Sequence, residues 1–317
     1  MKAIVTGGAG FIGSHLVDTL VTRGDKVLII DNLSPLAGGR EKNINPKAMF
    51  LRADIRNDIG LINSFRNKKE LRDFRQVDYV FHCAALPRVQ LSFDNPKTTH
   101  AANVVGTQNV IALAVWLDAK RLVYSSSSSI YGNQPTLPLR ESMFVNPLSP
   151  YGLQKYATEK YCQFLCRPEQ KNRLNGAVCL RYFNVYGPRQ SADSPYSTVI
   201  GLFLKARKAC VDAVIYGDGE QKRDFTHVSD VVRANLLAAE SAQVGMGEVI
   251  NIGAGRSYSI NQISRMIGGS YKREAARPGE PRETLADTAK AEELLGWRPQ
   301  VSFEQGIAEL LKLHKLV

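Results

Sequence analysis

Short apolar runs alternate with helical periodicities over roughly the first 180 residues of the chain. Ala3 to Thr6, Lys26 to Asp31, Ala48 to Ala53, Tyr79 to Cys83, Arg121 to Ser125 and Ala177 to Tyr182 predict strands, several of them apolar throughout, as strands buried on both faces must be. Between them Ile12 to Arg23, Ile59 to Phe74, Thr99 to Asp118 and Pro150 to Cys166 carry apolar residues at helical spacing. This alternation predicts an α/β fold built on a doubly wound parallel sheet. Beyond Tyr182 the pattern becomes irregular. Loops at Gly187 to Pro195, Gly217 to Arg223 and Pro278 to Arg282 separate helices such as Thr198 to Lys208 and Val228 to Ala242. The expectation is a first domain over 1–180, with 227–254 returning to it, and a smaller, discontinuous α/β substrate-binding domain over 181–317.

Composition changes this picture little. A chain of 317 residues with 44% hydrophobic and 22% charged residues can bury a large core, and its 25 Gly and 14 Pro follow no short period. The first apolar run is only Ala3 to Val5, after a single Lys and just before glycines, so no signal peptide is expected, and no run approaches 18 apolar residues. Five cysteines with no Cys-x-x-Cys pair predict free thiols in a reducing cytoplasm, and no metal site. The net charge of +11 would suit a nucleic acid, but its distribution argues against one. The densest basic run, Arg66 to Arg75, interleaves Glu70 and Asp73 at helical spacing, the pattern of a solvated helix face. Neither a nucleic-acid nor a membrane partner is expected.

Gly7-Gly8-Ala9-Gly10-Phe11-Ile12-Gly13 follows the first strand and opens a helix, where glycines make a tight turn and let a pyrophosphate approach the helix N-terminus. Two registers fit: Gly8, Gly10 and Gly13, or Gly7, Gly10 and Gly13. Asp31, 18 residues beyond Gly13 at the end of the second strand, can accept hydrogen bonds from both ribose hydroxyls and would repel a 2'-phosphate. NAD is therefore the expected cofactor, rather than NADP.

Ser149-Pro150 supplies an N-cap and a first-turn proline, so Tyr151 and Lys155 lie one turn apart on a helix face, and an ammonium beside a phenol eases its ionisation. Tyr156 and Lys160 have the same spacing but are rotated by about 140°. The serine run Ser125 to Ser129 decides between the pairs, because it leaves the carboxyl end of a strand, where open sheets bind ligands and a hydroxyl can meet the reacting oxygen beside Tyr151.

These features, with Asp31-Asn32-Leu33-Ser34, Asp54-Ile55-Arg56, His82-Cys83-Ala84-Ala85, Asn103 to Thr107, Ser127 to Gly132, Leu180 to Gly187, Gly217 to Asp230 and Arg277 to Asp287, make the chain resemble an extended short-chain dehydrogenase/reductase over essentially its full length. Within that family it looks like a UDP-sugar 4-epimerase. The resemblance implies a Rossmann-like NAD domain, with Ser127 the catalytic hydroxyl, Tyr151 the base and Lys155 its partner, and with Ser126 and Ser128 as possible substitutes on the substrate side. It also implies that Phe11, Ile12, Asn32, Asp54, Ile55, Ala84, Asn103 and Tyr182 line the cofactor. For the nucleotide sugar it implies Asn184, Val199, Tyr216, Arg223, Arg277, Glu280 and Thr284, with the two arginines clamping the diphosphate. Related dehydratases carry Asp-Glu at the positions of Ser128 and Ser129, and decarboxylases a Glu in this segment; neither is present. A small Thr284 where some epimerases place a Tyr leaves space for an acetamido group. The resemblance further implies a homodimer, formed through the doubly apolar helices Thr99 to Asp118 and Pro150 to Cys166. A silent NAD-binding protein, a dehydrogenase releasing NADH and a UDP-uronic acid epimerase are the competing readings.

Overall fold

The computed structural model describes residues 1–171, 173–191, 197–276 and 281–317. Its central sheet holds β1 (Lys2–Thr6), β2 (Lys26–Asp31), β3 (Met49–Arg52), β4 (Tyr79–His82), β5 (Arg121–Ser127), β6 (Ala177–Tyr182) and a seventh strand, Met246–Ile252. All neighbours pair in parallel, in the order seventh strand, β6, β5, β4, β1, β2, β3. The winding direction reverses between β1 and β4, so their carboxyl ends open a crevice.

Strand alternation divides the core into two layers. Ile4, Leu28 and Ile30 pack beneath the helices Asp58–Asn67, Gly106–Trp116 and Pro150–Leu165. Ala3, Val5, Val27 and Ile29 face the opposite side, covered by the helices Phe11–Thr22 and Val228–Glu240. Both faces are thus covered, as an apolar parallel sheet requires.

Three expected elements take a different form. The helix expected over Ile59 to Phe74 breaks at Lys68, which is extended, and continues as a 3₁₀ segment, Lys69–Phe74, whose tighter turn buries Leu71 and Phe74. The helix expected from Thr99 begins earlier, at Pro96, and widens into a π-helical turn over Ala101–Val105 before Gly106–Trp116. That wide turn coincides with Asn103, whose side chain bonds the Leu86 backbone. The loop expected over Gly217 to Arg223 ends in a short strand, Lys222–Asp224, paired antiparallel with Ser257–Ser259. Together with the ladder Ala213–Tyr216 and Tyr271–Glu274 it covers the crevice around a second core that includes Phe203, Ile215, Phe225 and Phe303. Among the described residues no helix is long and apolar enough to cross a membrane.

Candidate active site

The glycine turn leaves β1 at the crevice. Gly7 takes φ +72° and lies so close to the segment after β4 that a Cβ would meet the Ala84 nitrogen at 2.6 Å, while a Cβ on Gly13 would meet the Gly7 oxygen at 2.2 Å. Gly7, Gly10 and Gly13 line the cleft; Gly8 instead packs against the Ile29 side chain. Of the two registers, the one beginning at Gly7 therefore faces the cleft. Asp31 closes this end. Its carboxylate accepts the N–H of Ala9 at 3.0 Å and that of Leu33 at 2.7 Å, and burial raises its pKa. Asn32 donates to Asp54 at 3.0 Å, and Arg56, which holds Asp54 in a two-pronged contact, brings that carboxyl down to about 2. Phe11, Ile12, Ile55 and Ala84 line the same stretch.

Asn103 is placed differently from the expectation. Its amide is buried and fully used, accepting the Leu86 N–H at 2.8 Å and donating to the Leu86 carbonyl and to Gln154, so it fastens the cleft segment from behind instead of lining it. A continuous chain of bonds runs alongside. Thr107 Oγ1 donates to the Asn103 carbonyl at 2.6 Å, so it accepts from His82 Nε2 at 2.9 Å, and His82 Nδ1 then accepts from Thr6 Oγ1 at 2.6 Å. His82 is neutral, since burial pushes its pKa down to about 3.

At the reacting end the helix Pro150–Leu165 starts where Ser149 Oγ accepts the Gly152 N–H at 3.1 Å, and it presents Tyr151 and Lys155 to the cleft. Burial raises the phenol to about 12, a value that already includes the lowering effect of the nearby Ser127 hydroxyl and of the charge of Arg88. Burial brings Lys155 down to about 8. Its ammonium donates to the Ser125 carbonyl at 2.7 Å and lies 5.9 Å from the centre of the Tyr151 ring. Tyr156 and Lys160 face a separate cavity on the far side of the helix.

The serine run divides by strand alternation. Ser125 and Ser127 point into the cleft side, where Ser125 Oγ lies 3.2 Å from the Tyr182 hydroxyl. Ser126, expected as a possible substitute hydroxyl, has its oxygen on the other face, donating at 2.6 Å to Glu159, which also grips Arg181 in a buried ion pair. Ser128 lies along the cleft in the 3₁₀ turn that follows.

On the opposite wall Asn184, Val199, Tyr216, Arg223 and Thr284 all line the cleft, which encloses about 600 Å³. Thr284 is buried, and its hydroxyl accepts the Asp224 N–H at 3.4 Å. Asp224 itself is buried and accepts three backbone N–H groups, from Ala254, Gly255 and Ala286. Arg277 and Glu280 lie outside the described residues. Sequence reasoning missed Arg88 and Gln90, which line the cleft from the start of a six-residue helix, Val89–Asp94, too short to give a periodic signal.

Residues 3–253 match the profile of the NAD dependent epimerase/dehydratase family. The chain belongs to this family. As an NAD-dependent epimerase/dehydratase it is 34% identical to the UDP-glucose 4-epimerase of Mycolicibacterium smegmatis over 99% of each chain. Its fold is similar to that of the UDP-glucose 4-epimerase of Thermotoga maritima, solved with UDP-glucose, at a TM-score of 0.90 and 35% identity, covering 100% of this chain and 99% of that one. It is also similar to the UDP-N-acetylglucosamine 4-epimerase of Methanobrevibacter ruminantium, solved with UDP-N-acetylmuramic acid, at a TM-score of 0.85 and 35% identity over 98% and 97% of the two chains. The cofactor of the family fits the residues present: the bare glycine turn at a helix N-terminus suits a pyrophosphate, and the Asp31 carboxylate suits an unphosphorylated ribose.

Proposed function

We propose that the chain interconverts the 4-epimers of a UDP-hexose, with UDP-N-acetylglucosamine and UDP-N-acetylgalactosamine as the pair its cleft accommodates best. The observation that carries the reaction is the meeting of Ser127, Tyr151 and Lys155 at the crevice end of β5, in one cleft lined both by the glycine turn and Asp31 and by Tyr216 and Arg223.

Tyr151 takes the proton of the carbon-4 hydroxyl and returns one to the ketone oxygen after the ring has turned over. Ser127 shares that proton's hydrogen bond and keeps the oxygen aligned. Bringing the phenol from about 12 to near neutrality requires on the order of 7 kcal/mol of preference for its anion, at about 1.36 kcal/mol per unit. Ser127 and Arg88 already hold the phenol down at that value, so the remainder falls to the charge of Lys155, 5.9 Å from the ring centre, and to the positive charge of the cofactor. NAD, which the glycine turn and Asp31 would hold, would supply hydride-accepting and hydride-donating capacity and a positive charge. Arg223 and Tyr216 on the far wall serve the nucleotide, which leaves the hexose free to rotate.

Thr284 supports the acetylated sugars. Its side chain is small, and its hydroxyl is held by the Asp224 backbone, so the wall beside it stays open. The deciding experiment is incubation of the NAD-loaded protein with UDP-N-acetylglucosamine and UDP-glucose. Formation of the 4-epimer without free NADH is expected; accumulation of NADH, or no new sugar nucleotide, would reject the reading.

A further inference from the structure

Arg88 caps the short helix Val89–Asp94, and that helix is tied to the catalytic one, because Ser92 Oγ accepts the Tyr151 N–H at 3.1 Å. The tie brings the guanidinium to the reacting end of the cleft, where its charge acts on the Tyr151 phenol. Two other arginines lining the cleft are held by carboxylates: Arg56 by Asp54 and Arg189 by Asp18, each at 2.6 Å. Among the described residues no carboxylate pairs with Arg88. Two positions further on, the Gln90 Nε2 is buried without an acceptor, and this residue lines the cleft too. A desolvated guanidinium without a counter-charge and a buried amide donor without an acceptor are both costly, and an anion with several acceptor oxygens relieves both.

We propose that Arg88 and Gln90 form a subsite for a carboxylate carried next to carbon 4 of the hexose, so that the chain takes an acidic UDP-sugar. The inference rests on the epimerase reading, which puts carbon 4 at Tyr151. Two sources place a carboxylate within reach: a uronic acid, whose carbon 6 is joined to carbon 4 through carbon 5, and an acidic ether on the carbon-3 oxygen. The diphosphate at carbon 1 and any acetamido group at carbon 2 lie further round the ring, so this subsite and the space at Thr284 do not compete. Arg88 also has a second duty with such a substrate. A carboxylate beside the phenol would raise its pKa further, and the guanidinium cancels that charge while gripping the oxygens in a fork.

The test is calorimetric binding of UDP-glucose, UDP-glucuronic acid and UDP-N-acetylmuramic acid to the NAD-loaded protein, as wild type, Arg88→Leu, Arg88→Lys and Gln90→Leu. One of the two acids should bind wild type at least about tenfold tighter than UDP-glucose, the size of one charge-assisted contact. Arg88→Leu should erase that preference, Gln90→Leu should reduce it, and Arg88→Lys should keep part of it. A preference for uronic acid or for the ether identifies the source of the carboxylate. The proposal is overturned if neither acid is preferred, or if Arg88→Leu weakens all three sugars equally. Binding is read separately from turnover: a protein that prefers an acid through Arg88 yet forms no 4-epimer would retain the subsite and lose the epimerase reading.

Discussion

Lys155 spends its ammonium on the carbonyl of Ser125, 2.7 Å away, and not on the phenol of Tyr151. The helical spacing that pairs the two side chains in sequence puts them on the same face, but the partner chosen by the ammonium is the end of β5, where the backbone oxygen offers a buried acceptor. Lys155 therefore acts on Tyr151 across a ring width, while the nearby Ser127 hydroxyl is engaged with Ser129, donating to its Oγ at 3.1 Å and accepting its N–H at 3.2 Å.

Replacing Tyr151 with Phe removes the proton-transfer group and keeps the buried ring. Turnover should fall at least about 100-fold with NAD still bound, as measured by epimer formation and cofactor content. Tyr156→Phe, whose ring faces the other cavity, should keep near-normal turnover; the reverse outcome would assign the base to Tyr156.

The serines should separate by face. Ser127→Ala is expected to lower kcat by about tenfold or more, and loss of its cap on the Ser129 N–H should cost about 0.5–2 kcal/mol of stability. Ser126→Ala takes a donor from the buried Glu159 and should cost about 1–3 kcal/mol of stability, read by denaturant unfolding. Equal kinetic losses in the two variants would contradict the assignment.

Asp224 links pH to stability. Burial raises its carboxyl from 3.8 to about 6, so between those values the folded chain holds a proton that the unfolded chain has lost. The stability this group contributes is complete below about pH 4 and is lost as pH rises through 6, by up to about 3 kcal/mol. Denaturant midpoints at pH 4.5 and 7 should show this decline in wild type and a flatter response in Asp224→Asn; parallel responses would remove Asp224 from the account.

Thr284→Tyr should cut the specificity constant for UDP-N-acetylglucosamine at least about tenfold relative to UDP-glucose, because a ring at this wall overpacks the acetamido space by about 1–3 kcal/mol. An unchanged ratio would show that the position does not gate the cleft.

Val105, Trp116, Leu153, Tyr161 and Phe164 are exposed apolar residues on the two helical stretches expected to form the dimer, whereas Val104, Val110 and Ile111 of the first stretch are buried inside the subunit. We expect the exposed group to join two copies into a homodimer. Light scattering should give about twice the 35.1 kDa of one chain, and a single-chain mass at micromolar concentration would reject the pairing.

The strands, the glycine turn and the Tyr151 helix were legible because each rests on local periodicity or on a cap and turn that neighbouring residues specify. What stayed hidden depends on distant partners. Asn103 looks like a cofactor residue until the π-helical turn and the Leu86 backbone claim its amide. No local spacing pairs Glu159 with Arg181, since the strand and the helix they bridge, with Ser126 on the same carboxylate, meet only in the folded chain. Arg88 gives no signal at all at the start of so short a helix, since only the Ser92 contact carries it to Tyr151.

Asp31 has one further consequence, for anyone wishing to retune the protein to a phosphorylated dinucleotide. Its carboxylate is both the group we propose for the ribose and the anchor for the Ala9 and Leu33 amides on either side. Neutralising it would relieve the repulsion of a 2'-phosphate but would slacken the glycine turn in the same stroke. A switch of coenzyme preference therefore has to be engineered as a coupled set, in which a new acceptor for the Ala9 amide accompanies the change at position 31.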